Sequence, residues 1–431
     1  MPRVPFFRPV FAGLATLALA APGTAAAQWT SPEDESPWGL DVSLVLEGIY
    51  FNELSHGNDA PAGFDDGHDH GDGDDDDHGF DDGFNVGHSE LGFQARLGDL
   101  LDATVIIEFD DQDIEVDEAY LTTRALPGGF QIKAGKFLSD IGYINSRHRH
   151  EWDFATRPLV SEYLFGDHGL LEKGVQATWL APIATYTQVG VELLQGETSG
   201  IANYEGSQSA LNGQERILRD RSGPRLVTAF ARIGPDLGPD HAAQFGVSGG
   251  YARSYQVTDE HSTRFEDWDG SAWFAGLDTV YKYSAGRAYG HGDWRVQGEY
   301  FYREIDVDRR DVNVEADDNG PVGFVRHEQS FKNQQDGIYV QGVYGFAPRW
   351  EAGLRAEALG LSNDVGRGDG ETFGTSYRHI AQVTFRPLEP VFLRAQLAQN
   401  DFIDDHGHRD RGLEFMLQLN VALGAHGAHR F

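Results

Sequence analysis

The sequence predicts an all-β protein, a transmembrane antiparallel β-barrel of about 16 strands, and three observations support this fold class. Segments with alternating apolar and polar residues recur from residue 39 to residue 424, with turn-forming residues between them. The last segment, 412–424, has an apolar residue at nearly every second position, and the chain ends on Phe431. The first residues, finally, have the pattern of an export signal.

Residues 1–27 are expected to be a cleaved signal peptide. Arg3 and Arg8 form a basic start, an apolar stretch follows over 10–21, and Ala25-Ala26-Ala27 supplies the small residues of a cleavage site. Residues 28–431 would then form the barrel in the outer membrane. No run of 18 apolar residues is present, so a helical membrane span is not expected.

The predicted strands share alternating or apolar-rich composition. They are 39–51, 87–97, 102–109, 114–124, 129–137, 173–181, 185–194, 225–234, 242–254, 272–283, 292–303, 336–346, 349–360, 376–386, 390–399 and 412–424. If the first strand runs outward, the connections alternate between short inner turns and outer loops that are long in all but one case, which suits a closed barrel. Polar strand residues such as Glu299, Arg394 and Gln396 would face the lumen, because charge facing lipid costs about 2–4 kcal/mol near the midplane.

The charge balance is strongly acidic, with 68 Asp and Glu against 34 Lys and Arg. The excess is spread along the chain, although residues 56–88 alone contain eleven Asp. Nucleic acid is therefore not an expected partner. An acidic mouth would attract small cationic solutes. The alternative is that the acidic loops only keep the surface hydrated.

The first outer loop, 52–86, combines His with Asp and Gly. His68, His70 and His78 lie among carboxylates there, and His406 and His408 repeat the pattern in the last outer loop. Imidazole and carboxylate groups suit zinc and related divalent metals. Dense glycine prevents a preformed cage, so weak and adaptable zinc capture is expected, and no cofactor is required. A solvated acidic loop remains the alternative.

A second motif lies in the third outer loop, 138–172, and carries a resemblance. The segment 142–159, together with 87–91, 133–137 and 173–182, resembles a family of bacterial outer-membrane porin-like proteins. Its members are often labelled zinc-regulated and sometimes TonB-dependent receptors. The resemblance implies a porin-type barrel with a link to zinc supply. The terminal Phe431 also resembles the signal that barrel-assembly machinery recognises.

General porins, which the predicted barrel resembles in architecture, fold their third loop into the lumen. The resemblance then implies a pore constriction formed by loop charges, namely Arg147, Arg149, Glu151 and Arg157. His148, His150 and Asp153 would be candidate metal ligands beside it. The alternative is that Trp152, Phe154 and Pro158 hold the loop against the wall while its charges pair with one another.

Two functions from different classes remain. The first is a porin-type channel for small solutes that prefers cations and aids zinc uptake. The second is a surface metal-binding protein anchored by a closed barrel. A TonB-dependent receptor is disfavoured because only 28–38 precede the first predicted strand, which leaves no room for a plug. No nucleophile elbow is present, so the protein is not expected to be an enzyme. The sequence does not indicate whether three barrels associate into a trimer.

Overall fold

The structure is a computed structural model that describes residues 38–58, 60–64, 80–211, 214–261, 264–317, 320–365 and 371–424. Its strands are β1 (Trp38–Ser55), β2 (Gly83–Val86), β3 (Ser89–Leu97), β4 (Leu101–Phe109), β5 (Ile114–Thr123), β6 (Phe130–Leu138), β7 (Leu171–Leu180), β8 (Tyr186–Leu194), β9 (Leu226–Gly234), β10 (His241–His261), β11 (Arg264–Tyr283), β12 (Trp294–Asp317), β13 (Gly320–Ala347), β14 (Trp350–Val365), β15 (Glu371–Thr372), β16 (Ser376–Leu388), β17 (Val391–Ile403) and β18 (Arg409–Gly424). One α-helix, α1, spans Leu159–Phe165.

The strands form one closed antiparallel ring, as predicted. The first strand, β1, pairs with β18 on one side and with β2 and β3 on the other. Strands β2 and β3 form one barrel strand that is interrupted at Gly87 and His88. Strands β15 and β16 likewise lie on the same side of β14 and count as one. The barrel therefore has 16 strands. Closure pairs the strand edges with one another, which a barrel in lipid requires.

The two faces of the wall differ as the alternating sequence predicts. Along β17, Arg394 and Gln396 are buried at 1% and 2% exposure, whereas Leu393 and Leu397 are exposed at 40% and 42%. Glu299 on β12 is buried in the same way. Polar side chains therefore point into the barrel and apolar ones point outward, which is the arrangement expected of a barrel in lipid.

The wall is much taller on one side than on the other. Strands β3 to β9 have 9 or 10 residues each, but β12 and β13 have 24 and 28. Two predicted outer loops, 255–271 and 304–335, are wrong, because the structure continues the strands through most of both segments. The alternation continues in part, since Ile305, Val307 and Val312 are buried, but the charged run 308–311 interrupts it and resembles a loop in composition.

An apolar core lies inside the ring. Helix α1 follows Pro158 and buries Leu159, Val160, Leu164 and Phe165. The Phe165 ring meets the rings of Phe274 and Phe301 on the wall edge to face, each at a centroid distance of 5.0 Å. The interior is thus packed around α1 as well as lined by polar groups. No described helix is long and apolar enough to cross a membrane.

Candidate pore constriction

The segment 139–170, called loop 3 below, leaves β6 and turns into the barrel. Glu192 on β8 accepts hydrogen bonds from the Ser139 hydroxyl and the Asp140 N–H. Glu299 on β12 then accepts the N–H groups of Tyr143 and Ile144, both at 2.9 Å. The wall therefore satisfies backbone donors that a buried loop would otherwise leave unpaired.

Gly142 makes this close approach feasible. Its φ of +58° lies in the left-handed region, and a Cβ there would come within 2.2 Å of the Glu299 carboxylate. Any other residue would both strain the backbone and displace the acceptor. The glycine in the motif is thus explained by the anchor that it permits.

The second half of loop 3 is anchored to the opposite part of the ring. On β17, Arg394 donates to the Trp152 carbonyl at 2.7 Å, and Gln396 accepts the Ala155 N–H at 2.8 Å. On β14, Glu357 accepts the Leu159 N–H at 2.6 Å. Loop 3 consequently contacts the wall from β8 to β17 and crosses the lumen between them.

The two loop histidines lie together in an acidic corner. The His148 ring nitrogens lie 3.1 Å from Glu118, 3.4 Å from Glu90 and 3.6 Å from Asp117, and His150 lies 3.2 Å from Glu90. Their rings stack with centroids 5.8 Å apart. Burial opposes the charged form of His148, but the neighbouring carboxylates Glu90 and Glu118 outweigh it and raise its pKa well above the usual value. A protonated imidazole donates from both nitrogens and cannot bind a metal.

Asp153 lies elsewhere, against a basic part of the wall. Its carboxylate contacts Arg295 on β12 at 2.5 Å, and Arg295 also contacts Glu351 at 2.7 Å. Burial would raise the pKa of Asp153, but Arg295 outweighs this effect and lowers it. The structure therefore brings His148 and His150 together and gives Asp153 a different partner.

The four predicted constriction charges split into two pairs. Arg147 and Arg157 are buried; Arg147 lies over the Tyr143 ring at 4.0 Å, and Arg157 lies over the Trp152 ring at 4.7 Å while donating to the Asp167 carbonyl. Burial, with the neighbouring Arg149, lowers the pKa of Arg157 to about 10. Arg149 and Glu151 form a short 3-10 turn and stay half-buried. These two are therefore more accessible than Arg147 and Arg157.

The structure contains less evidence for a metal site at the histidines of the outer loops. His68, His70 and His78 lie outside the described residues. His406 and His408 are exposed, and His408 lies 3.4 Å from Asp404, whose pKa is lowered by the N–H of His408. Within the parts of the chain that the structure describes, no group of three or more His, Asp or Glu side chains fits a metal ion.

The sequence did not indicate that acidic residues of the barrel strands would hold the loops by accepting their N–H groups. Besides Glu192, Glu299 and Glu357, Glu172 on β7 accepts the N–H groups of 196–198 in the next outer loop. That loop also turns inward, where Ile201 and Ala202 are fully buried. An acidic residue at an inward-facing strand position is the available signal, but it does not reveal that its partner is a loop N–H.

Known proteins are similar to this chain over 90% or more of its length. No family model matches the chain. A protein of Aquifex aeolicus (strain VF5), described as uncharacterised, is 30% identical over 413 residues, which cover 93% of this chain and 82% of that protein. OmpT, an outer-membrane protein of Vibrio cholerae, is similar in structure with a TM-score of 0.52 and 13% identity, over 90% of this chain and 99% of that one.

The outer-membrane channel DcaP of Acinetobacter baumannii matches with a TM-score of 0.51 and 15% identity, over 90% of this chain and 97% of that one. At these identities the structural matches establish the fold alone, a closed β-barrel like those of these two outer-membrane proteins. The sequence match establishes kinship. This chain belongs to the same family as the Aquifex aeolicus protein.

Proposed function

We propose that this protein is an outer-membrane channel for small solutes, with a preference for cations. The observation that carries the proposal is a closed, polar-lined barrel crossed by a loop that leaves Arg149 and Glu151 half-buried. A loop of this kind limits the passage while the ring keeps lipid out. The lipid bilayer and the barrel-assembly machinery are the partners that such a protein needs, and association into a trimer fits the proposal.

The charges support the cation preference. Among the described residues, buried acidic side chains are about twice as many as buried basic ones. Several of these acids accept loop N–H groups, Glu192, Glu299 and Glu357 among them. A lumen with surplus negative charge raises the local concentration of cations and lowers that of anions.

Reversal potentials in planar bilayers test this proposal. With a tenfold KCl gradient, we expect a potential of the sign that indicates potassium over chloride. Raising the salt to about 1 M should weaken the preference, because the Debye length falls to about 3 Å. A chloride-selective current would contradict the cation preference. A correctly folded barrel without current would contradict the channel itself.

We also propose that the outer histidines recruit zinc weakly for uptake. The support is chemical: His68, His70 and His78 lie among aspartates, and His406 and His408 are exposed near Asp404. Calorimetry with zinc chloride should show heat that a deletion of 65–79 reduces. This deletion spares 60–64, where Phe64 is buried and Gly63 accepts a hydrogen bond from Gln335.

The second candidate, a surface metal-binding protein anchored by a closed barrel, is favoured by the apolar packing around α1 inside the ring. The same deletion separates the two. A channel lacking 65–79 should conduct as before, whereas a protein whose only role is metal capture would show no conductance at any stage and would lose its zinc heat.

A further inference from the structure

A row of three carboxylates crosses the inner face of β3, β4 and β5. In the register of the sheet, Glu90 lies opposite Glu108, and Glu108 lies opposite Glu115. Glu90 is buried, whereas Glu108 and Glu115 flank the outer turn 110–113. Like charges directly opposite one another on neighbouring strands are destabilising. These three residues, called the acidic row below, therefore need positive partners.

Each carboxylate of the acidic row contacts a histidine side chain. The pairs are His148 and His150 with Glu90, His88 with Glu108, and His168 with Glu115. Arg149 adds a longer-range positive charge beside Glu108. Three of the four histidines belong to loop 3, so the loop faces β3–β5 across a layer of acid and imidazole groups. An imidazole carries a full charge only when it is protonated, whereas these carboxylates face one another permanently.

Exposure along β5 shows one closed layer between two solvent-exposed ones. Glu115, at the outer end of the strand, has a side chain that is 44% exposed. Next along the strand, Asp117 and Glu118 are buried against His148. Beyond them the inward-facing Thr122 is half-buried. Water therefore reaches this part of the wall on both sides of a layer that consists of carboxylates and His148.

The barrier inside the ring has a different character elsewhere. Between α1 and the strands β10 to β14 it is the apolar cluster that contains Phe165, Phe274 and Phe301. A cation that crosses such a cluster loses its water and gains no replacement ligand, which is costly. At the acidic row, the contact of His148 with Glu90 consists of groups that can exchange one positive partner for another. The polar layer is thus the lower barrier for a cation.

We infer that the acidic row is the cation-selectivity filter of the channel, and that the passage runs between loop 3 and β3–β5. The inference rests on the proposed channel function and identifies the part of the wall that selects the solute. A small cation gains carboxylate contacts in this passage by replacing imidazole groups, whereas an anion is repelled there. The filter therefore lies on the strands, and Arg149 and Glu151 of loop 3 only border it.

Reversal potentials of charge variants in planar bilayers test the inference. Glu115→Gln should lower the permeability ratio of potassium to chloride about threefold, the size expected for one unit charge roughly 6 Å from a passing ion in water. Glu108→Gln, deeper in the acidic row, should lower the ratio further. Glu260→Gln is the matched control, because its side chain is 48% exposed and pairs with Arg216 on the ribbon of β10 and β11. It removes the same charge and should leave the ratio unchanged.

The absence of cysteine from the sequence permits a test of sign at a single position. Modification of Glu115→Cys with an anionic methanethiosulfonate reagent should restore the wild-type ratio. A cationic reagent should lower the ratio below that of the unmodified variant. Glu260→Cys, treated in the same two ways, is the control and should show neither change. Because both positions are exposed, each variant should fold, as checked by its gel shift on heating.

The outcomes separate the filter from the proposed function. A cation-selective current that neither Glu115→Gln nor the two reagents alter would keep the channel and remove the filter. Equal shifts at Glu115 and Glu260 would also remove it, because the total charge of the mouth would then set the selectivity. A wild-type barrel without current, or with a chloride-selective one, would contradict the proposed function and the filter together.

Discussion

Loop 3 is attached on its two sides by different chemistry. On one side, His148 and His150 contact the carboxylates of Glu90, Asp117 and Glu118. On the other, Asp153 and the backbone around it contact arginines of the wall. Arginine stays protonated at every physiological pH, whereas histidine changes charge near neutrality. The comparison shows one permanent attachment and one that pH controls.

Removing the permanent attachment should have the largest effect. Arg295→Gln leaves Asp153 without its ion-pair partner, while Glu351 keeps Arg386 at 3.2 Å, and breaking a buried ion pair costs about 3–5 kcal/mol. We expect a lower free energy of unfolding in urea and faster proteolysis of loop 3. Arg409→Gln, at an exposed pair with Asp401, is the control and should change little. A variant as stable as the wild type would show that the Asp153 pair does not hold the loop.

Removing a wall acceptor should have a somewhat smaller effect. Glu299→Gln keeps one acceptor oxygen but places an amide NH₂ group against one of the N–H groups of Tyr143 and Ile144, so we expect a loss of about 1–3 kcal/mol. Hydrogen exchange of these two amides should speed up. Glu304→Gln, further along the same strand, is the matched control because Glu304 pairs with the exposed Lys332 rather than with loop 3. Unchanged exchange at both amides would contradict the anchoring role.

The histidine attachment should depend on pH in a defined direction. The pKa of His148 is raised in the folded protein, so its stabilising contribution is complete below the unfolded value of about 6.5 and is lost as the pH rises through the folded value. We therefore expect loop 3 to loosen at alkaline pH, with more open-channel noise and faster proteolysis.

His148→Gln should abolish that pH dependence and cost about 1–3 kcal/mol at pH 6. The Arg295 side supplies the control, because its contribution should stay constant over the same range. Equal pH dependence in wild type and His148→Gln would place the titrating group elsewhere.

The smallest effect is expected at the exposed histidines. His408→Ala removes a solvent-exposed contact with Asp404, which should change stability by less than about 0.5 kcal/mol. Only the heat of zinc binding should fall. A large loss of stability would show that the last outer loop packs more tightly than its exposure indicates.

The ring itself was predictable because each strand meets lipid on one face and polar groups on the other. Arg394 and Leu393 are neighbours in sequence, and their contrast in character alone predicts which one faces the lumen. The number of such segments in the sequence gives the 16 strands of the barrel. The extensions of β12 and β13 were missed, because charged residues such as those at 308–311 interrupt the apolar alternation that Ile305 and Val307 begin.

The pairings of the candidate constriction residues were not predictable from the sequence. The motif indicated His148, His150 and Asp153 as one group, and the structure separates Asp153 from the other two. An alternating pattern specifies local geometry, but contacts between a loop and strands 30 to 242 positions away depend on how the ring closes. Glu299, Glu357 and Arg394 became anchors only when closure brought loop 3 against them.

The sequence alone thus determines a barrel, its two faces and the acidic charge of its loops, since these follow from local periodicity and composition. The tertiary structure decides where loop 3 lies, which acids accept its N–H groups, and that Glu90, Glu108 and Glu115 form one row on the wall that faces it. The physical reason is that buried polar groups must find partners, and a closed ring offers them across the lumen rather than along the chain.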